Sequence, residues 1–341
     1  MKHETLRFPK KRVYSAGRNV SNGTNTDDDL EVIENFRAAH SRLINSFQSN
    51  IRRHNRSMGK KVLHATRLKR MPTILDKLVR QPKMDLRRLQ DIAGLRVIYE
   101  NEERLKYSRL KILSSKWKHN LLTEDNRFDY IEKPKESGYR GIHDVYSYKS
   151  SNENNAASNG LKIEIQYRTL LQHYWATAVE VFDHIHIDRV KFGEGEVLIK
   201  RHFMLTSEIL ARAFENRFSC LPDSSDAQIL EEYFDTESKV GILDGLKRVR
   251  TMPVLNPRNN IYRLLLVQPT NGKHDIKVKN FTKLEEALAA YGKAEREMPS
   301  SSNVVLVRGS GKDIQSVYQN YFSNTEKFKQ LVQKGTELLK K

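Results

Sequence analysis

A single cysteine, Cys220, stands in the 341 residues, which excludes an intramolecular disulfide framework and any Cys-rich zinc site and fits a reducing compartment. No apolar run approaches the ~18 residues needed to cross a bilayer, and the basic N-terminus lacks the apolar core of a signal peptide. The chain is therefore expected to be cytoplasmic, with no membrane partner. Acidic residues are also in short supply: 42 Asp and Glu against 60 Lys and Arg leave a formal net charge of +18. Such an excess attracts polyanions such as nucleotides, RNA or acidic proteins, which narrows the class of partner without fixing a function. Ile51 to Gln90 is especially basic, with only Asp76 and Asp85 opposing its Lys and Arg residues.

What is present is enough apolar sequence, 38%, for a sizeable core, in a length that suits two domains of about 150 residues each. Residues 1–26 are basic and rich in Gly, Asn and Ser, without periodicity, and are expected to be a flexible arm. Asp27 to Asp29 can cap a helix carrying Leu30, Ile33, Phe36, Leu43, Ile44, Phe47 and Ile51 at helical spacing. A second helical stretch is expected at about Lys60 to Thr66, and a short helix opens at Pro72 and ends near Gln81-Pro82. Leu95 to Tyr99 reads as a buried strand, followed by a helix over Leu105 to Trp117 and a turn-rich segment over Lys133 to Gly141. Strands over Asp144 to Tyr148 and Leu161 to Tyr167 flank a polar hairpin tip, and a long helix runs from about Thr169 to His184. Past Pro222 the pattern restarts: helix Ala227 to Leu246, strand Tyr262 to Gln268, a turn at Asn271-Gly272, strand Asp275 to Val278, helix Leu284 to Glu297, strand Asn303 to Val307 and helix Val317 to Leu339. The expected architecture is α/β (α+β): a mixed sheet flanked by helices over 27–222, then a second, small α+β domain over 223–341.

Four clusters carry chemistry. In Arg67-Leu-Lys69-Arg-Met-Pro-Thr73-Ile-Leu-Asp-Lys77, Thr73 falls in the first turn of a helix with Lys77 one turn on. A helix N-terminus already favours phosphate, and Arg67, Lys69 and Lys77 would add charge-assisted bonds to a triphosphate; alone, the segment reads more readily as an ordinary basic surface helix. Asp91-Ile-Ala-Gly94-Leu-Arg96 sets a carboxylate just before a buried strand, where it can hold Mg²⁺ through one or two protein oxygens plus phosphates. In Lys162-Ile-Glu164-Ile-Gln166-Tyr-Arg168 the period of two puts Lys162, Glu164, Gln166 and Arg168 on one face, which suits either an exposed edge or a nucleotide and metal site. Finally, in Asp129 to His143 the glycines Gly138 and Gly141 permit a tight loop. It could hold Tyr139 out as a base-stacking platform, with Lys133, Lys135 and Arg140 as cations for acceptor phosphates.

At these spacings and in this order, the four clusters resemble the synthetase domain of the RelA/SpoT family, over roughly Leu63 to Asp183. The resemblance implies a nucleotidyltransferase-like fold and a pyrophosphokinase. This enzyme would move the β,γ-pyrophosphate of ATP to the 3′-hydroxyl of a guanine nucleotide, GDP or GTP, with release of AMP. It also implies roles: Arg67, Lys69, Thr73 and Lys77 on the ATP phosphates, with Thr73 where the family has a serine, and Arg96 and Arg168 near the triphosphate. Asp91 would be the Mg²⁺ ligand, and Glu164 either a second metal ligand or the base that deprotonates the attacking hydroxyl. Lys133, Lys135, Tyr139, Arg140, His143 and Gln166 would hold the acceptor. The run Gln172 to Glu180, with Trp175, looks like the helix that closes this domain.

Three departures bear on the acceptor. Phe128, preceded by Arg127, stands where many members have a lysine; Ser137 stands where an asparagine is common; and no histidine-aspartate hydrolase domain precedes the synthetase, so the chain should synthesise and not degrade. A toxin that pyrophosphorylates the 3′ end of tRNA stays open as an alternative, as does an RNA-binding module with an inactive site, against which Asp91 and Glu164 both argue. Residues 223–341 are expected either to support a homo-oligomer or to act as a sensor or inhibitor answering a trigger.

Overall fold

A computed structural model describes residues 5–56, 62–123, 126–185, 193–246, 261–270, 273–298, 303–309 and 324–341. The chain opens with three helices: α1 (Lys10–Ser21), α2 (Asp27–Ala39) and α3 (Ser41–His54). The expected arm at 1–26 is thus corrected for most of its length. Val13, Ala16 and Val20 form an apolar seam at helical spacing that is buried against the main core, and Arg12 pairs with Asp29 at 2.5 Å. Small residues make that seam, so its burial is close but its hydrophobic signal is faint; a Cβ on Gly17 would lie 2.9 Å from the Leu86 Cβ. Thr26 and Asp29 form a reciprocal capping box at the start of α2. The single helix expected from Asp27 to Ile51 divides at His40, whose Nδ1 lies 2.7 Å from the Phe36 carbonyl oxygen.

A strand, β1 (Leu63–Leu68), replaces the helix expected at Lys60 to Thr66, of which Lys60 and Lys61 lie outside the described residues. It is followed by α4 (Met71–Arg80), β2 (Ala93–Tyr99), α5 (Glu102–Leu113), β3 (Asn120–Leu121), β4 (Ile142–Ser147), β5 (Lys162–Thr169) and α6 (Leu170–Ile185). The strands form one mixed sheet in the order β1-β2-β5-β4-β3. β2 and β5 run parallel, and the other neighbours are antiparallel. Alternation then decides the faces. Leu95, Val97, Ile163, Ile165 and Tyr167 turn into a core shared with Leu43, Phe47 and Ile51 of α3 and Leu105 and Ile112 of α5. Gly94, Arg96, Glu164 and Gln166 turn to the opposite face.

A 23-residue helix that the sequence reading did not anticipate, α7 (Gly193–Glu215), precedes α8 (Asp226–Val240) and α9 (Ile242–Leu246). A three-stranded sheet follows, in the order β7-β6-β8, from β6 (Ile261–Thr270), β7 (Lys273–Phe281) and β8 (Asn303–Gly309), with α10 (Leu284–Glu297) packed on it. The chain returns through α11 (Asn324–Leu339). The division expected at residue 222 does not coincide with a break in packing: Phe328 and Val332 of α11 and Ile229 and Tyr233 of α8 share a core with Trp175 and Phe182 of α6 and Phe203 and Ile209 of α7. The turn expected at Asn271-Gly272 and the start of the helix expected from Val317 lie outside the described residues. No helix among the described residues is long and apolar enough to cross a membrane.

Candidate active site

The polar face of the sheet is assembled from both directions of the central pair. Arg67 on β1 lies opposite Gly94 on β2, which lies opposite Glu164 on β5. Because Gly94 has no side chain, the stem of Arg67 crosses over it, its Cγ 3.5 Å from where a Cβ would stand. Arg96 and Gln166 form the next row, and His143 of β4 lies opposite Gln166. Asp91 sits two residues ahead of β2, whose first residue, Ala93, pairs with Ile163 beside Glu164.

Around Asp91 the arrangement is one of charge. Lys69 places Nζ 2.6 Å from Oδ2, and Lys77, one helical turn beyond Thr73 on α4, places Nζ 3.6 Å from Oδ1. Lys69 is itself buried, its backbone N–H donating to the Ile92 carbonyl at 2.8 Å, so its ammonium is fixed in place. Thr73 is half-buried in the first turn of α4, where Pro72 occupies a position whose N–H would have no helical partner.

Around Glu164 the arrangement is one of directed hydrogen bonds. His143 Nδ1 lies 2.8 Å from Glu164 Oε1, and Gln166 Nε2 donates to Oε2 at 2.7 Å. Burial alone would raise the carboxyl's pKa, but the His143 hydrogen bond and charge, the Gln166 amide and the nearby Arg67 outweigh it and bring it to about 2. Tyr139 OH lies 2.6 Å from His143 Nε2. Arg168 donates from Nε to Tyr139 OH at 3.2 Å and from NH2 to Gln166 Oε1 at 3.3 Å. Burial, and next the charge of Arg96, press the Arg168 pKa down, yet a guanidinium stays protonated in proteins. Its NH1 is buried and donates to no acceptor among the described residues. Arg96 pairs through NH2 with Glu180 of α6 at 3.2 Å.

The turn that carries Tyr139 is closed by Gly138 N–H donating to the Lys135 carbonyl at 2.8 Å, with Gly138 at φ +86°. α7 seats this turn: Ser207 donates to the Gly138 carbonyl at 2.6 Å, and a Cβ on Gly138 would lie 2.9 Å from the Ser207 Cβ. Arg140 is not delivered to the acceptor side. It is buried and bound to Glu215, the last residue of α7, which also accepts from Thr169 Oγ1 at 3.0 Å. The sequence offered an arginine in a basic loop, and the helix that captures it was not anticipated. Lys133 and Lys135 are exposed; the Lys135 ammonium sits 4.4 Å from the Tyr130 ring centre and 5.3 Å from that of Tyr139. Ser207 and Glu215 are thus site-supporting residues that the sequence reading missed. The usable signal was the apolar spacing Ile199, Phe203, Leu210 and Phe214 in the segment before Pro222.

No group of three or more His, Cys, Asp or Glu able to hold a metal occurs among the described residues. A Mg²⁺ site that takes most of its oxygens from water and phosphate does not need one. Asp91 Oδ1, buried and without a hydrogen bond, together with an ionised Glu164 on the next strand, fits that donor set.

Residues 66–183 match the family described as the region found in RelA / SpoT proteins. The matched stretch contains β1 from Thr66 on, β2, β4, β5 and most of α6 and so includes the whole polar face, whereas α7, which seats its loop, lies beyond the match. The chain is 34% identical over 113 residues to the GTP pyrophosphokinase YjbM of Bacillus subtilis (strain 168), an overlap of 33% of this chain and 51% of that protein. It therefore spans about half the length of that curated relative. Among solved structures, small alarmone synthetase 1 from Bacillus subtilis bound to its product pppGpp aligns at 25% identity with a TM-score of 0.43, over 53% of this chain and 90% of the other. A GTP pyrophosphokinase family protein from Streptococcus pneumoniae aligns at 27% identity with a TM-score of 0.41, over 55% and 89%.

Proposed function

We propose that the chain is an ATP-dependent pyrophosphokinase that transfers the β,γ-pyrophosphate of ATP to the 3′-hydroxyl of a guanine nucleotide, GDP or GTP, and releases AMP. The observation that carries this reading is the pairing of an ionised, doubly hydrogen-bonded Glu164 with a neighbouring cradle of Arg67, Lys69, Lys77 and Asp91. In this reading Arg67, Lys69 and Lys77 bind the triphosphate, with Thr73 at the helix start, while Arg96 and Arg168 lie beside it. Asp91 and Glu164 would hold Mg²⁺, which when bound neutralises charge on the transferring group. Glu164 keeps a second lone pair on each oxygen and can accept the acceptor hydroxyl as it approaches the β-phosphorus. As the new oxygen–phosphorus bond forms and the bond to AMP breaks, the hydroxyl proton passes to that carboxylate. A carboxylate with so low a pKa is a weak base, so its larger contribution is orientation, which suits a loose phosphoryl-transfer transition state. Tyr139 offers its ring to the acceptor base, and Lys133 and Lys135 face its phosphates.

A second acceptor, the 3′ end of a tRNA, draws support from one feature. Aromatic rings continue outward from Tyr139 to Tyr130, with centroids 5.8 Å apart, and on to Phe128, stacked on Tyr130 at 6.1 Å. Arg127 lies 5.5 Å from the Phe128 ring centre and Lys135 beside Tyr130, a combination that suits successive bases of a single strand. One assay separates the readings: γ-labelled ATP is offered with GDP, GTP, ATP or deacylated tRNA, and AMP release is followed. Label on GDP or GTP is expected. Label on tRNA alone would replace the acceptor, and label on none, with Glu164→Gln indistinguishable from the native chain, would sink the enzyme reading.

A further inference from the structure

The hydrogen bonds around Glu164 close on themselves. One arm runs from Arg168 through the Tyr139 hydroxyl and the His143 ring to Glu164 Oε1; the other runs from Arg168 through the Gln166 amide to Oε2. Arginine can only donate and an ionised carboxylate can only accept, so the bonds at the two ends have a fixed sense. His143 therefore carries a proton on Nδ1 for Glu164, and Gln166 presents its oxygen to Arg168 and its amide N–H to Glu164. In this closed state Tyr139 is a poor platform: the Arg168 guanidinium lies 5.0 Å and the Lys135 ammonium 5.3 Å from its ring centre. A base that stacks on the side where the guanidinium lies must displace it.

The same guanidinium carries the buried NH1 that has no hydrogen-bond acceptor among the described residues, an arrangement costly for a charged donor and readily relieved by an anion. The geometry points to Arg168 as a positioning residue that couples the two substrate sites. A donor phosphate oxygen on NH1 draws the guanidinium away from Tyr139 and Gln166, opens the ring and frees the aromatic face for the acceptor. The inference rests on the pyrophosphokinase reading and adds to it a direction: each substrate tightens the other, by an equal factor for both as linkage requires.

The test is calorimetric titration of the full chain with GDP, or with deacylated tRNA where that takes the label, in the presence and absence of a methylene-bridged ATP analogue and Mg²⁺. In the native chain the analogue is expected to tighten the acceptor about tenfold. Tyr139→Phe keeps the ring and deletes the hydroxyl link, and should leave the acceptor indifferent to the analogue, within about twofold, while the analogue still binds. Gln166→Met opens the other arm and should act in the same direction, so a folding defect in one variant leaves the other decisive. Native-like coupling in both ring variants, or none in the native chain, would overturn the inference and leave the pyrophosphokinase reading standing. Failure of the native chain to bind any acceptor would overturn both.

Discussion

Asp91 sits between two ammonium groups at 2.6 and 3.6 Å, whereas Glu164, on the adjoining strand, sits between an imidazole and an amide at 2.8 and 2.7 Å. The first environment has no preferred proton direction and little angular demand. A magnesium ion can take an ammonium's place on Asp91, and a triphosphate can take the carboxylate's place on the lysines, so opposite charges stay paired, which suits a donor common to many enzymes. The second has every donor and acceptor assigned, and its strand neighbours are fixed by register. A sheet can therefore place two carboxylates side by side and give one to charge and the other to geometry. The donor side should tolerate rearrangement and respond to salt, and the acceptor side should tolerate neither substitution nor displacement.

The largest expected effect comes from removing the geometric carboxylate. Glu164→Gln should lower kcat by about 10²–10⁴-fold while the affinity for an ATP analogue changes by no more than about twofold, measured by transfer assay and titration. A parallel loss of analogue affinity would mean that Glu164 acts chiefly through Mg²⁺ on the donor rather than on the acceptor hydroxyl. Next, Asp91→Asn should leave acceptor binding intact and raise the Mg²⁺ concentration needed for half-maximal rate by about tenfold or more. An unchanged magnesium profile would remove Asp91 from the metal. Gly138→Ala should raise the acceptor KM about tenfold with the ATP KM unchanged, because φ +86° and the 2.9 Å approach to Ser207 force the Tyr139 turn to move. Equal effects on both KM values would show that the two halves are not separable.

The smallest effect concerns stability and lies outside both halves. Burial, opposed by the Phe36 carbonyl and aided by the charge of Lys162, lowers the His40 pKa from 6.5 to about 4. The unfolded chain then binds the proton more readily than the folded one, so this contribution is fully present above about pH 6.5 and is lost as pH falls toward 4. Denaturant unfolding should show a lower midpoint at pH 5 than at pH 7, and His40→Gln should flatten that difference.

Much of the site was legible because it is local: the alternation of Ile163, Ile165 and Tyr167 against Glu164, Gln166 and Arg168 specifies both strand and face, and Pro72 marks the start of α4. Less was legible where partners decide. The β1 segment Leu63-His-Ala-Thr-Arg-Leu has no strong strand preference and becomes a strand by pairing with β2. Arg140 resembles an acceptor cation until Glu215, 75 positions later, claims it. The α1 seam of Val13, Ala16 and Val20 buries well but is too small to stand out in a basic, Asn-rich stretch.

The parallel pairing of β2 with β5 also governs when the site can come into being. Gly94 meets Glu164, 70 positions later, and the strands between them cannot substitute for that contact. A nascent chain emerging from the ribosome carries Arg67, Lys69, Lys77 and Asp91 long before it carries Glu164, and the Tyr139 turn waits longer still for Ser207 on α7. Long-range parallel pairing is among the slower steps of folding. Synthesis interrupted before Glu164 therefore yields a fragment that holds the cation cluster and lacks the carboxylate it is proposed to work with.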